Sequence, residues 1–169
     1  GTMNTADKSL TQLDLALRRR FEFKEIGPDI KVLEDLKATQ YDVDIPLMLK
    51  KMNQRIQYLK GKDYQIGHSY FMSLCKEMDQ PEYLQTLRRI FENKIIPLLQ
   101  EYFFSNLKHI GLVLNDNPAD ADERKIIQDL SFGENMFGYD QQPKANPLYA
   151  VEMNVDCLSE LNRFKQIYE

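Results

Sequence analysis

Residues 45–59 carry the apolar pattern that most limits how this chain can fold. Apolar side chains recur at spacings of four, three, four and three residues, at Ile45, Leu49, Met52, Ile56 and Leu59. This periodicity places them on one face of an α-helix, and that face must be buried against other elements. Asp44 can cap the start of the helix, Pro46 fits its first turn, and Gly61 is a favourable residue for its end. One long amphipathic helix is therefore predicted in this part of the chain.

Weaker helical patterns surround this segment. Five further helices are predicted, with starts near Asp7, Pro28, Ser69, Pro81 and Asp156. Pro97 cannot donate a hydrogen bond to a helical ladder, so a kink or a new helix is expected near Asn93. Alternating apolar residues predict short strands at residues 21–24 and 149–153. The pattern as a whole predicts a mainly α chain.

Composition and charge argue against several classes of protein. The 169 residues contain no apolar run long enough for a membrane span, and no secretory leader is visible. The net charge of −4 argues against a dominant non-specific nucleic-acid surface. Cys75 and Cys157 lie far apart, and neither they nor the two histidines show a metal-binding spacing. Free thiols, a cytoplasmic location and no metal site are therefore expected.

The glycine-rich motif that cradles nucleotide phosphates is absent from these residues. A polar stretch near the beginning, residues 2–7, could still belong to a phosphate site. An amide such as that of Asn4 can hold an attacking water in line with a phosphate, because phosphoryl transfer depends mainly on positioning. Alternatively, Asn4 and Asp7 simply cap the following helix, which is a common role for both residue types.

Three consecutive arginines, Arg18, Arg19 and Arg20, form a second candidate site. Cations at the end of a helix complement the negative end of its dipole, which would make the run purely structural. A guanidinium also suits the charge that builds up on a transferring phosphoryl group, which would make one arginine a catalytic finger. The spacing alone leaves both interpretations open.

A third candidate is the polar turn at residues 65–71, which contains His68 and Ser69. A helix start with these side chains could contact a nucleotide. A capped turn without any ligand would have the same residue types, because serine is a frequent cap.

In combination, these stretches resemble the McrB family, the AAA+ GTPase subunit of methylcytosine-dependent restriction systems. The resemblance covers about residues 1–105 and is carried by residues 1–10, 14–21, 66–71 and 91–103. The first two stretches are specific in combination, and the last two support them. Residues 110–169 match the family only vaguely.

The resemblance implies roles for the candidate residues. Asn4 would be the sensor 1 residue, and Asp7 belongs to the same signature. The arginine run would supply a finger that reaches a neighbour's nucleotide, with Arg19 as first choice because it lies inside the run. The family usually has Arg where this chain has Lys8, and an ammonium cannot reproduce a bidentate guanidinium contact. His68 and Ser69 would contact the nucleotide.

The resemblance also implies a domain organisation. Residues 1–24 would be the last piece of an AAA+ α/β nucleotide-binding subdomain, and residues 25–114 would be the helical lid. The polar loop that begins at Asn115 is the best internal boundary, so residues 115–169 would form a small mixed α/β extension. The chain would then be the C-terminal part of a larger protein whose phosphate-binding motif lies upstream.

By the same resemblance, the complete protein would hydrolyse GTP or ATP with magnesium. It would assemble into a ring of AAA+ subunits and drive a partner nuclease (an McrC-like subunit) on modified DNA. No cofactor is expected on these residues alone, and DNA would be met through the complete complex. Two other interpretations stay open: a non-catalytic helical interaction module, and a domain that binds DNA directly.

The missing phosphate-binding motif makes a direct prediction about activity. The isolated chain should not release phosphate from GTP or ATP, because nothing in it can hold the β- and γ-phosphates and their magnesium. A phosphate-release assay on a preparation free of contaminating hydrolases checks this. Turnover above the buffer blank would contradict it.

Overall fold

The computed structural model describes residues 20, 22, 24–36, 41–75, 77–116, 125–129 and 151–169. Most of these residues lie in helices, and the strands are two segments of three residues each. The prediction of a mainly α chain is confirmed. No helix in these ranges is long and apolar enough to cross a bilayer.

The central helix, α1, spans Ile45–Leu59, as the apolar pattern predicts. The Asp44 carboxylate caps it by accepting a hydrogen bond from the Leu47 N–H at 2.8 Å, and Pro46 lies in its first turn. Gly61 follows with φ of 117°, in the region that favours glycine, and its N–H bonds the Gln57 carbonyl at 3.1 Å. The cap, the proline and the glycine that the sequence predicts for this helix are all found in these positions.

The other helical segments are shorter than α1. A 3-10 helix at Ile30–Leu36 precedes α1, and 3-10 helices at Lys62–Tyr64 and His68–Phe71 follow it. The remaining α-helices are α2 at Gln80–Ile90, α3 at Ile96–Tyr102, α4 at Leu107–Leu114 and α5 at Leu161–Gln166. A last 3-10 helix, Asp156–Ser159, lies just before α5.

The helix that carries Pro97 changes its winding where the sequence predicts a kink. Residues Phe91–Ile95 form a π-helical turn between α2 and α3. Proline lacks the N–H that would continue the α ladder, and a wider turn ahead of it re-routes the hydrogen bonds without ending the helix. The π turn also keeps Phe91 and Ile95 in the core, where neither side chain is exposed.

Two short antiparallel strands complete the described architecture. Strand β1, Ile127–Asp129, pairs with β2, Val151–Met153, in a register that places Ile127 opposite Met153. Both strands contact α4. The strand predicted at residues 149–153 is confirmed over its last three residues, whereas its partner was not predicted.

A single apolar core joins these elements. It buries the face of α1 predicted from the sequence together with apolar residues of each other helix. Phe91 packs edge to face on Phe164 with ring centroids 5.1 Å apart, so the π-helical turn and the last helix share one contact. Burial of such large side chains supplies most of the driving force for folding, at roughly 1.5–3 kcal/mol each.

Polar contacts tie the described residues from Asp116 onward to the same body. The Asp116 carboxylate accepts hydrogen bonds from the Arg163 guanidinium and, at 2.5 Å, from the Ile127 N–H. The side chains of Asp116 and Arg163 are only 2% and 8% exposed, respectively. Arg55 of α1 donates to the carbonyls of Val113 and Ile167, at 3.0 and 2.5 Å. The domain division at residue 115 stays a prediction, and the described residues beyond it pack directly on the helices that precede it.

Several local predictions are wrong. Glu22 and Lys24, the described residues of the strand predicted at 21–24, lie in no strand. Ser69 caps no helix, since it lies inside the short 3-10 helix that begins at His68. Asp156 begins a 3-10 helix instead of capping α5. Helix α4, capped by Asn106, was missed. The helix predicted near Asp7 lies outside the described residues.

Leu49 tests the assignment of the buried face of α1. Its side chain is fully buried, so Leu49→Ala should lower the free energy of unfolding by about 2–5 kcal/mol through lost burial and a cavity. Urea denaturation of the chain measures this change. Lys50→Ala, at the neighbouring exposed position, is the control and should change stability little. A loss under about 0.5 kcal/mol for Leu49→Ala would mean that the face is misassigned.

The buried ion pair gives a second stability prediction. Arg163→Met leaves the Asp116 carboxylate buried without a cation, so unfolding should become easier by about 3–5 kcal/mol. The matched control on the same helix is Lys165→Met, which removes a pair with Asp42 whose side chain is 83% exposed. That control should change stability little, because an exposed pair is screened by solvent. Equal losses of stability for the two variants would show that the buried pair of Asp116 and Arg163 stabilises the fold no more than the exposed pair does.

Candidate functional site

The candidate site is the turn formed by residues 66–71, here called the histidine turn. It leaves α1 through the 3-10 helix Lys62–Tyr64 and ends in the 3-10 helix His68–Phe71. Ile66 and Phe71, at its two ends, are fully buried, whereas Ser69 between them is exposed and His68 is partly exposed. The turn is thus a short polar arc anchored by an apolar side chain at each end.

Asn53, on α1, anchors the beginning of the turn. Its side-chain oxygen accepts a hydrogen bond from the Ile66 N–H at 2.7 Å, and its side-chain nitrogen donates to the Ile66 carbonyl at 2.9 Å. Asn53 is only 3% exposed, so both bonds lie in the core. A buried backbone group without a partner would cost about 1–3 kcal/mol, and this amide satisfies two at once.

Phe71 anchors the other end of the turn. Its ring packs edge to face on Phe91 with centroids 6.3 Å apart, and Phe91 in turn contacts Phe164. The three rings link the turn, the π segment and α5 in one row. Such aromatic contacts add to the burial of the rings themselves, so this end of the turn is fixed in the core.

His68 connects the turn to the segment that precedes the 3-10 helix Ile30–Leu36. Its Nδ1 atom accepts a hydrogen bond from the Asp29 N–H at 3.0 Å. Because Nδ1 is the acceptor, the proton of the neutral ring lies on Nε2, and this N–H is the atom of the ring left to donate to a ligand. The Asp29 carboxylate meanwhile accepts from the Lys31 N–H at 3.0 Å, which shapes the start of the 3-10 helix Ile30–Leu36.

A second contact holds the same segment against the 3-10 helix Lys62–Tyr64. Lys62 Nζ pairs with the Glu25 carboxylate at 2.8 Å, and both side chains are mostly exposed. The hydrogen bond that Lys62 donates to Glu25, together with the negative charge of Glu25, raises the pKa of the Lys62 ammonium. The contact is too exposed to stabilise the fold much. With the bond from Asp29 to His68, it gives residues 25–29 two attachment points near the turn.

The exposed part of the turn can donate and accept hydrogen bonds. Two grooves in the described structure, of about 360 and 510 Å³, are lined by other residues and include neither His68 nor Ser69. The Ser69 hydroxyl and the His68 Nε2–H suit a hydroxyl or phosphate oxygen. An open polar edge of this kind fits a site that a second body completes.

The other predicted site residues are placed only in part. Arg20 lies in a turn and is exposed. Asn4, Asp7, Arg18 and Arg19 lie outside the described residues, so their roles stay predictions. Within the described ranges, no group of three or more His, Cys, Asp or Glu side chains is placed to hold a metal ion.

Asn53 is the site residue that sequence reasoning missed. A signal for it exists, because Asn53 lies four residues after Leu49 and three before Ile56, on the apolar face of α1. A polar residue on a buried face needs hydrogen-bond partners. The sequence did not indicate that the partner would be the backbone of Ile66.

Comparison with known proteins identifies the helices between residues 44 and 111. A family model for the alpha-helical lid domain of McrB matches residues 44–111, from the cap of α1 into α4. The chain carries an McrB lid domain. The match includes the whole histidine turn, and the resemblance to the McrB family that the motifs indicated is confirmed.

A curated relative agrees with this assignment. The chain is 39% identical to the "Type IV methyl-directed restriction enzyme EcoKMcrB subunit" of Escherichia coli (strain K12). The similar region takes in 63% of this chain and 25% of the relative. The chain therefore spans about a quarter of the length of this McrB subunit.

Proposed function

We propose that these residues are the lid-bearing portion of an AAA+ nucleoside triphosphatase, a GTPase of the McrB type. The observation that carries the proposal is the McrB lid match over residues 44–111. Within it lies a polar turn whose partly exposed His68 and exposed Ser69 are held between two buried anchors. In this proposal the complete protein drives a partner nuclease in the restriction of modified DNA, as a cytoplasmic enzyme.

The histidine turn is the nucleotide contact of the lid in this proposal. GTP, or ATP, with magnesium would be held mainly by a phosphate-binding motif in another part of the complete protein. The His68 Nε2–H and the Ser69 hydroxyl would then donate to nucleotide oxygens from the lid side. The exposure of Ser69 and the partial exposure of His68 support this, because a lid contact is completed only when the nucleotide-binding subdomain lies against it.

Asn4 and the arginine run would supply the chemistry. The Asn4 amide would orient the attacking water as sensor 1, with Asp7 in the same signature. One arginine of the run, with Arg19 preferred over Arg18 and Arg20, would stabilise charge on the phosphoryl group of a neighbouring subunit's nucleotide. Hydrolysis would therefore take place at the junctions of a subunit ring, which would act on an McrC-like nuclease and, through it, on DNA.

Arg19→Ala in the complete protein should separate turnover from binding. A finger acts on charge that develops in the transition state, so nucleotide affinity should stay unchanged and kcat should fall. Losses of about 10³–10⁵-fold are known for arginine fingers and set the upper range expected here. Phosphate release and equilibrium nucleotide binding measure the two quantities on the same preparation.

Mixed rings test whether the finger acts across a junction. Arg19→Ala subunits are combined with subunits disabled in the phosphate-binding motif, and each kind alone is the control. Junctions that pair an intact motif with an intact finger should regain activity. No recovery in a ring confirmed to be mixed, or full activity of Arg19→Ala alone, would overturn the assignment. The latter result would leave the arginine run as a structural helix end.

A further inference from the structure

We propose that Asn53 is a positioning residue for the nucleotide contact of the lid, acting through the backbone of Ile66. This inference rests on the proposed function of the histidine turn. Asn53 does not reach the exposed edge itself, since it is buried in the core with 3% exposure. Its role is to fix where His68 and Ser69 stand.

The geometry of the pair explains why this position carries asparagine. The amide meets both polar groups of one buried residue, at 2.7 Å to the Ile66 nitrogen and 2.9 Å to the Ile66 oxygen. Asparagine carries both a donor group, its NH₂, and an acceptor group, its oxygen, at this length of side chain. Aspartate lacks the donor, and glutamine is longer by one methylene group. An apolar residue would fill the space but leave the two backbone groups unpaired.

His68 lies two residues after Ile66, so the position of Ile66 limits where His68 can lie. Gly67 between them has φ of −71° and ψ of 149°, an ordinary extended conformation. A Cβ placed on Gly67 would meet only the Ser69 hydroxyl oxygen, at 3.5 Å, so tight packing at the glycine does not hold the turn. The hydrogen bonds from Asn53 and the burial of Phe71 are therefore the constraints on either side of His68.

Loss of Asn53 should consequently move the contacting groups without removing them. The Ile66 N–H and carbonyl would turn toward water, and His68 would keep its bond to Asp29 but lose its fixed distance from α1. A displacement of about 1 Å at a positioned group can cost up to about 100-fold in function. Nucleotide affinity is the quantity that should report it.

The test is a double-variant cycle in the complete protein, with a non-hydrolysable GTP analogue as the probe and the dissociation constant as the readout. The single variant is Asn53→Ala, and the turn variant is His68→Ala combined with Ser69→Ala. Gln54→Ala, at an exposed position on α1, is the matched control. If Asn53 acts through the turn, Asn53→Ala should weaken binding about 10- to 100-fold in the native turn. It should have almost no further effect in the turn variant.

The outcomes separate this inference from the proposal beneath it. If the turn variant binds the analogue as tightly as the unmodified protein, the turn is not a nucleotide contact and the proposed function fails. If the turn variant binds weakly but Asn53→Ala binds normally, or if the two effects multiply in full, Asn53 does not position the turn.

A less disruptive variant covers the case in which Asn53→Ala does not fold. Asn53→Asp keeps the acceptor for the Ile66 N–H and lacks the donor to the Ile66 carbonyl. It should weaken binding by less than the alanine variant and show the same dependence on the turn. Normal affinity of a folded Asn53→Asp protein, in which only the melting temperature is lowered, would show a merely structural role and overturn the inference.

Discussion

Burial of the apolar face of α1 is the constraint on which the rest of the structure depends. The face made by Ile45, Leu49, Met52 and Ile56 is fully buried, and α1 packs against the 3-10 helices on both sides and against α4. Polar residues of α1 bind other parts of the chain. Asn53 forms hydrogen bonds with the histidine turn, and Arg55 donates hydrogen bonds to the carbonyls of Val113 and Ile167. One helix therefore organises both the core and the candidate site.

In the candidate site, the residues that fix the turn differ from the residues that can contact a ligand. Rigidity comes from buried groups, namely the amide of Asn53 and the ring of Phe71, which have no access to a ligand. Chemistry is left to His68 and Ser69, which lie between them at the surface and can still form hydrogen bonds. The bond from Asp29 to His68 adds the preceding segment to the same unit. Contacting groups held in this way lose little freedom when a ligand binds, which favours affinity.

The sequence predicted what local rules determine and missed what distant contacts determine. The bounds of α1 follow from Asp44, Pro46 and Gly61, and the irregular turn before Pro97 follows from a missing N–H. Helix α4 has only eight residues and contains a glycine, and β1 has three residues, so neither carries a periodic signal of useful length. Ser69 was misread as a cap because the hydrogen bonds that shape the turn come from α1, 13 residues earlier. The pair of Asp116 and Arg163, 47 residues apart, has no local signature at all.

The central claim is that the histidine turn of this lid faces a nucleotide in the complete protein. Hydrogen exchange of the backbone amides of residues 67–69, with and without a non-hydrolysable GTP analogue, tests it most directly. The account predicts slower exchange at these amides when the analogue is bound at saturation, because the lid closes over the ligand and fixes the turn. Exchange that is unchanged at the turn, in a sample where binding is shown independently, would contradict the account.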